Sequence, residues 1–187
     1  KSLVRVLADG AAVTQKSFWD GMTERIAPAL EGASLEDLLD LADLYVKIQA
    51  WQKEVFDAVV RRVRADMAMH WMEPSMLVRL LAIFSRAGAS SRDLGRVATQ
   101  LFNEMEERVL DRVDDFEPED CVVLLESMAR FRAAKLPVLR QIGRECLHQS
   151  VEQLLPGPQI ATICHAYGEL GWRHDTVFRT VVRGVLE

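Results

Sequence analysis

The chain has 187 residues, 49% of them hydrophobic, and a net charge of -5. That is enough apolar material for one domain with a substantial core, and too much for a disordered chain. No apolar run approaches the roughly 20 residues that a bilayer-crossing helix needs, which excludes membrane insertion of this stretch.

The three cysteines carry no CxxC spacing, and the histidines show no HxxxH. They are expected to pack as small hydrophobes in a reducing setting, with neither a disulfide nor a zinc site.

In chain order, residues 1–33 read as an incomplete helical hairpin. Val4, Leu7 and Ala11 stand for the end of one helix. Phe18, Met22 and Ile26, four apart, give the apolar side of a second. Trp19 and Trp71 read as packing near helix ends.

Residues 34–72 form the first full copy. Ser34 with Asp37 imitates a capping box. Leu38, Leu41, Ala42, Tyr45 and Ile48 then follow the spacing of one face of an α-helix, helix A. A breaker at Gln49–Gln52 leads to helix B, with Val55, Val59 and Val63 on its apolar side.

The second copy, 73–116, opens on Pro74, tolerated in a first turn because that N–H has no intrahelical partner. Its helix A face is Leu77, Leu80, Leu81, Phe84 and Ala87, and its helix B face is Leu94, Ala98 and Phe102. Gly88 falls where a helix wants a left-handed residue after its end. Between Asn103 and Asp120 nine acids face only two arginines, so this stretch reads as a solvated helix end and connector.

The third copy, 117–155, opens on Pro118. It places Cys121, Leu124, Leu125, Met128 and Phe131 on helix A, and Val138, Ile142 and Cys146 on a helix B that starts near Pro137. The fourth, 156–187, opens near Gly157. Its faces are Ile160, Ile163, Cys164, Tyr167 and Leu170, then Val177, Val181 and Val185, with Gly171 at the turn.

The four copies superpose at offsets of 39, 44 and 39 residues, and eight columns are apolar in all of them. Self-similarity at this period marks a solenoid, whose units bury their apolar faces only against neighbours. The expectation is an all-α fold: an α-α superhelix of about four and a half helical hairpins with a period near 39 residues, forming one domain over 1–187. The five extra residues between the second and third copies are expected to lengthen helix B or its exit near Glu104–Val113.

Tetratricopeptide and pentatricopeptide repeats are shorter, and the proline-kinked first helix of HEAT repeats is missing. The stretches from Glu117 to Leu147 and from Leu155 to Leu186 resemble the helical repeats of organellar RNA proteins. These are the octotricopeptide repeats, the repeats of FAST-kinase-type proteins and the heptatricopeptide repeats. The resemblance is carried by Gln159-Ile160-Ala161-Thr162-Ile163-Cys164-His165-Ala166-Tyr167-Gly168-Glu169-Leu170-Gly171, then Asp175-Thr176-Val177-Phe178. It covers Ser34 to Leu186. It implies a mitochondrial location, with a plastid as the alternative, and a role in RNA processing, translation or ribosome structure.

Two sets of cations are candidates for contact with RNA or a partner. Helix A keeps one polar stripe, expected to line a concave surface. There Lys47, Arg86 and Arg130 share a column and Arg79 precedes Arg86 by seven residues on the same stripe. They suit successive phosphates, or they are helix-end cations favoured by the dipole. Asp40, Asp43 and Glu126 share the stripe, and Glu169 breaks the column.

Helix B carries the second set. Arg96, Arg140 and Arg179 share one column, and Arg61, Arg144 and Arg183 share the next. Like charges at i, i+4, as in Arg140/Arg144 and Arg179/Arg183, cost an isolated helix about 0.2–0.5 kcal/mol. A polyanion, an acidic partner surface or the Glu104–Asp120 stretch would account for them, and so would a plain solvated face. His165 suits base stacking or a surface position. Trp51, Trp172 and His174 fall in turns, where packing on a neighbour is the simpler role.

No GxSxG, GxxxxGK[ST] or GxGxxG accompanies a strand pattern, and no carboxylates oppose one another across a pocket. The sequence therefore points to a non-enzymatic subunit of an organellar ribonucleoprotein, a mitochondrial ribosome or an RNA-processing complex, without cofactor or metal. Its partners would be organellar rRNA or mRNA and neighbouring protein subunits. The alternative is a scaffold that binds proteins alone.

Overall fold

The computed structural model describes residues 16–50, 52–69, 72–131 and 157–171, together with 137, 140–144, 175 and 179. The described residues are helical and include no strand. Their helices are α1 (Lys16–Leu30), α2 (Leu35–Lys47), α3 (Lys53–Met69), α4 (Pro74–Ser90) and α5 (Arg92–Asp111). A 3-10 turn follows at Val113–Asp115, then α6 (Pro118–Phe131) and α7 (Gly157–Glu169). Pro137 and residues 140–144 are also helical, as are Asp175 and Arg179. The chain divides into two compact units, Lys1–Leu94 and Gly95–Glu187, with the division inside α5.

The ends of the helices follow local chemistry. At α2 the Ser34 Oγ accepts a hydrogen bond from the Asp37 N–H at 3.1 Å and donates to the Asp37 carboxylate at 2.7 Å. The expected box is therefore closed side chain to side chain, because an Asp arm is short. Pro74 and Pro118 are the first residues of α4 and α6, as their missing N–H allows. At the end of α2, Gln49 is left-handed (φ 55°). Its N–H donates to the Val46 carbonyl at 3.1 Å, and the Ala50 N–H to the Tyr45 carbonyl at 3.0 Å. That pair is a Schellman cap, which satisfies carbonyls the helix leaves over.

Gly171, in the same column as Gln49, is also left-handed (φ 63°). Gly88 is not a cap, contrary to expectation. α4 runs through it to Ser90, and Ser91 stops the helix in an extended conformation (φ -137°). The Gly-Ala-Ser sequence lets the helix run two residues further, since Ala and Ser carry no steric penalty there.

In the first unit α2 packs on α3, its hairpin partner, and on α4, the next helix A, while α1 packs on α3. Consecutive hairpins thus touch A to A and B to B. The apolar columns supply the contacts: Leu38, Ala42, Tyr45, Val55, Val59, Val63, Leu80 and Phe84 are all essentially inaccessible. Phe56 of α3 meets Phe84 of α4 edge to face, with centroids 5.5 Å apart, a preferred aromatic geometry.

The incomplete first copy differs from its expected register. Phe18 is 39% exposed, whereas Trp19 is 5% exposed and Leu30 7%. Trp19 stacks edge-on against Tyr45 with centroids 5.7 Å apart. Thr23 sits one turn on, donating to the Trp19 carbonyl at 2.8 Å and sharing a 2.7 Å hydrogen bond with the Tyr45 hydroxyl. A one-position rotation of α1 buries the larger ring and gives the buried phenol a partner. An aliphatic period alone does not encode that choice. Val4, Leu7 and Ala11 lie outside the described residues, as do Trp51, Trp71, Trp172 and His174.

In the second unit α6 packs on α7. Cys121, Leu124, Leu125 and Met128 are fully buried, and so is Tyr167. Phe102 of α5 lies 6.0 Å from Phe131 of α6. The extra residues of this copy extend α5 to 20 residues and add the 3-10 turn. The acidic stretch is mainly exposed, except that Glu106 turns inward at 2% exposure.

Candidate functional site

The polar stripe of helix A is solvated where it was expected, but its cations have partners. In the first unit Asp43 holds two of them. Lys47, one turn on, lies at 2.7 Å, and Arg86, reaching across from α4, lies at 2.8 Å. Arg79 crosses from α4 to Asp40 in the same way. α2 and α4 are therefore bridged twice along their solvent edge, at positions 39 and 43 residues apart in sequence. In the second unit Arg130 pairs with Glu126 of its own helix. Lys47, Arg79, Arg86 and Arg130 thus each pair with an adjacent carboxylate, Asp43 being shared by two of them, an arrangement that lowers the positive potential a phosphate would meet.

The helix B cations behave differently. Arg96, Arg140, Arg144 and Arg179 are all exposed. None forms an ion pair among the described residues. The acids of the Glu104–Asp120 stretch do not pair with them; Glu104 instead accepts from Gln100 at 2.9 Å, and Asp115 pairs with Arg112. Arg183 lies outside the described residues. The sequence set both ladders side by side; among the described residues the helix A cations are in ion pairs and these helix B arginines are not.

A groove of about 540 Å³ opens between α6 and α7 in the second unit. It is lined by the buried Ala129 and Ala166 and the exposed Ala161, together with Glu126, Arg130, Glu169, Thr162 and His165. Glu169 and His165 are exposed and make no ion pair among the described residues. The sequence did not reveal this groove, although the run of small residues on α7 was its one signal.

Titratable groups elsewhere point to packing. Partial burial pushes the Cys164 thiol above its ordinary value, which disfavours the thiolate. Cys121 is fully buried, and Cys146 lies outside the described residues. Burial also raises the Tyr45 phenol, against the opposing effect of the hydrogen bond it shares with Thr23. Asp120, in the first turn of α6, is raised by burial more than the Glu117 backbone hydrogen bond lowers it. Among the described residues no cluster of three or more His, Cys, Asp or Glu is placed to hold a metal ion, and no helix is long and apolar enough to cross a membrane.

No family model matches this chain, and no curated protein matches it in sequence.

Proposed function

We propose that this protein is a non-enzymatic helical-repeat subunit of an organellar ribonucleoprotein, stacking its hairpins into an α-α superhelix that contacts RNA and neighbouring proteins. One observation carries the RNA part. Arg140, Arg144 and Arg179 are exposed on helical segments and form no ion pair among the described residues, whereas the helix A cations Lys47, Arg79, Arg86 and Arg130 are each in an ion pair. Arg140 and Arg144 are i, i+4 neighbours, an arrangement that local helix stability disfavours and a phosphate backbone favours. Arg96 and Arg183 belong to the same two columns. The mitochondrial location, and the plastid alternative, rest on the repeat resemblance. The apolar columns and the fully buried Cys121 suit a chain that offers surfaces for binding.

A specific observation favours the second reading, a purely protein-binding scaffold. The helix A stripe, where solenoids commonly bind, has its cations paired with carboxylates of the chain itself.

Filter binding of single-stranded RNA across a salt series separates the two. RNA contact through the helix B ladder gives a log–log salt slope that flattens by about two units when Arg140, Arg144 and Arg179 are all changed to Ala. Changing Lys47, Arg86 and Arg130 to Ala moves the slope less. Absence of any salt-sensitive affinity removes the RNA reading and leaves the scaffold.

A further inference from the structure

The groove between α6 and α7 has a counterpart in the first unit, and the counterpart is bridged. The same repeat columns line both. Where α4 carries Arg79 and Arg86, α7 carries Thr162 and Glu169; where α4 carries Val78 and Ile83, α7 carries Ala161 and Ala166. On the facing helix Val46 is replaced by Ala129. Five of the eight lining exchanges remove volume, while Asp43 to Glu126, Lys47 to Arg130 and Ala82 to His165 add it, and the two arginines that reach across from α4 to the α2 carboxylates have no equivalent. The result is an open groove with alanines in its lining.

Among the described residues the charges left behind are also unbalanced. Glu126 keeps the position of Asp43, the acid that in the first unit accepts both an intrahelical cation and Arg86. Here, among the described residues, its one ion pair is with Arg130. Glu169 stands at the position of Arg86, adds a second carboxylate to the groove, and makes no ion pair among the described residues. It is also the last residue of α7, where the helix dipole disfavours an acid and a nearby cation would relieve it.

We propose that this groove receives an arginine side chain from a partner polypeptide. The guanidinium takes the place that Arg86 fills in the first unit and bridges the Glu126 and Glu169 carboxylates, while its methylenes lie over Ala161 and Ala166. Two carboxylates flanking one planar donor suit arginine better than lysine, because its fork can bond both. The stem covers the alanines as it leaves its charge in water. The same acids repel a phosphate backbone, so this surface and the helix B ladder have different occupants. The inference deepens the protein-binding part of the proposed function and is independent of the RNA part.

The test is an amide NMR titration of the whole chain with a blocked Ala-Arg-Ala peptide, alongside blocked Ala-Lys-Ala and Ala-citrulline-Ala. Saturable shifts confined to residues around Glu126, Thr162, His165 and Glu169, with the citrulline peptide about tenfold weaker or more, are the expected result. Glu169→Arg should abolish the binding by filling the groove from within, as Arg86 does in the first unit; Glu169→Gln should weaken it without filling the space. Equal binding of the arginine and citrulline peptides, or unchanged binding by Glu169→Arg, overturns the proposal. So does a titration in which RNA shifts these amides and the arginine peptide does not. Loss of RNA binding in the salt series leaves this result untouched, so the two failures are distinguishable.

Discussion

The two units treat the same pair of helix A surfaces in opposite ways. In the first, α2 and α4 are tied along their solvent edge by Arg79–Asp40 and Arg86–Asp43. In the second, α6 and α7 keep the buried columns but lose both cross-helix cations and leave a groove. Leu41, Leu80, Leu124 and Ile163 occupy one column and are all buried. The apolar columns therefore fix the hairpins, and the stripe is free to vary, because exposed ion pairs contribute little to stability. What varies between the units is what each presents to solvent.

The largest effects belong to the shared columns. Leu80→Ala and Leu124→Ala, one in each unit and both fully buried, should each cost about 2–5 kcal/mol in chemical denaturation, through lost transfer energy and a cavity. Costs below about 0.5 kcal/mol would mean that the columns are not the core. Next come the left-handed caps. An added Cβ at Gly171 meets nothing within 4 Å, so Gly171→Ala tests conformation alone and should cost about 1 kcal/mol. Gln49→Gly, at the equivalent position of the first unit, should run the other way and raise stability by a few tenths of a kcal/mol. Equal signs at the two sites would break the equivalence of the turns.

The polar contacts follow. Tyr45→Phe removes one partner of the buried Thr23 hydroxyl, which keeps its bond to the Trp19 carbonyl. A loss of about 1 kcal/mol is expected from thermal unfolding. A double-mutant cycle on Asp43 and Arg86 should return about 0.2–1 kcal/mol of coupling that fades with added salt. The intrahelical Glu126–Arg130 pair should return about 0.3–0.5 kcal/mol. Coupling of several kcal/mol for Asp43 and Arg86 would show that the bridges, and not the columns, hold the first unit together.

The smallest effect is at Asp120. Burial raises its folded-state pKa, so its protonated form favours folding, and that contribution is lost as pH rises through the folded value. Asp120→Asn should therefore be slightly more stable than the parent at neutral pH, with the difference vanishing below the ordinary carboxylate range. A difference that instead grew on acidification would reverse the assignment.

Much of this organisation was legible in the residues. The helix starts at Pro74 and Pro118, the Ser34 cap, the long α5 and the buried column of Tyr45, Phe84, Met128 and Tyr167 all follow from spacing and end chemistry. Gly88 misled, because glycine marks a possible helix end without requiring one. Phe18 misled because Phe18 and Trp19 fit the same apolar period, and only the phenol of Tyr45, 22 residues away from Thr23, chooses between them. The basic ladder of helix A was visible as a column, but its pairing with carboxylates was not. Arg79 and Arg86 find their acids on another helix, and a single strip of sequence does not say which stripe positions come within reach.

By itself, then, the sequence determined the helices, their ends and the apolar faces, since these depend on a period of 3.6 residues and on the few groups around each terminus. Tertiary structure alone decided which arginines are paired, which way α1 turns and where a groove stays open. Those outcomes depend on side chains meeting across helices about forty residues apart in the chain, and on the space left when one of them is short.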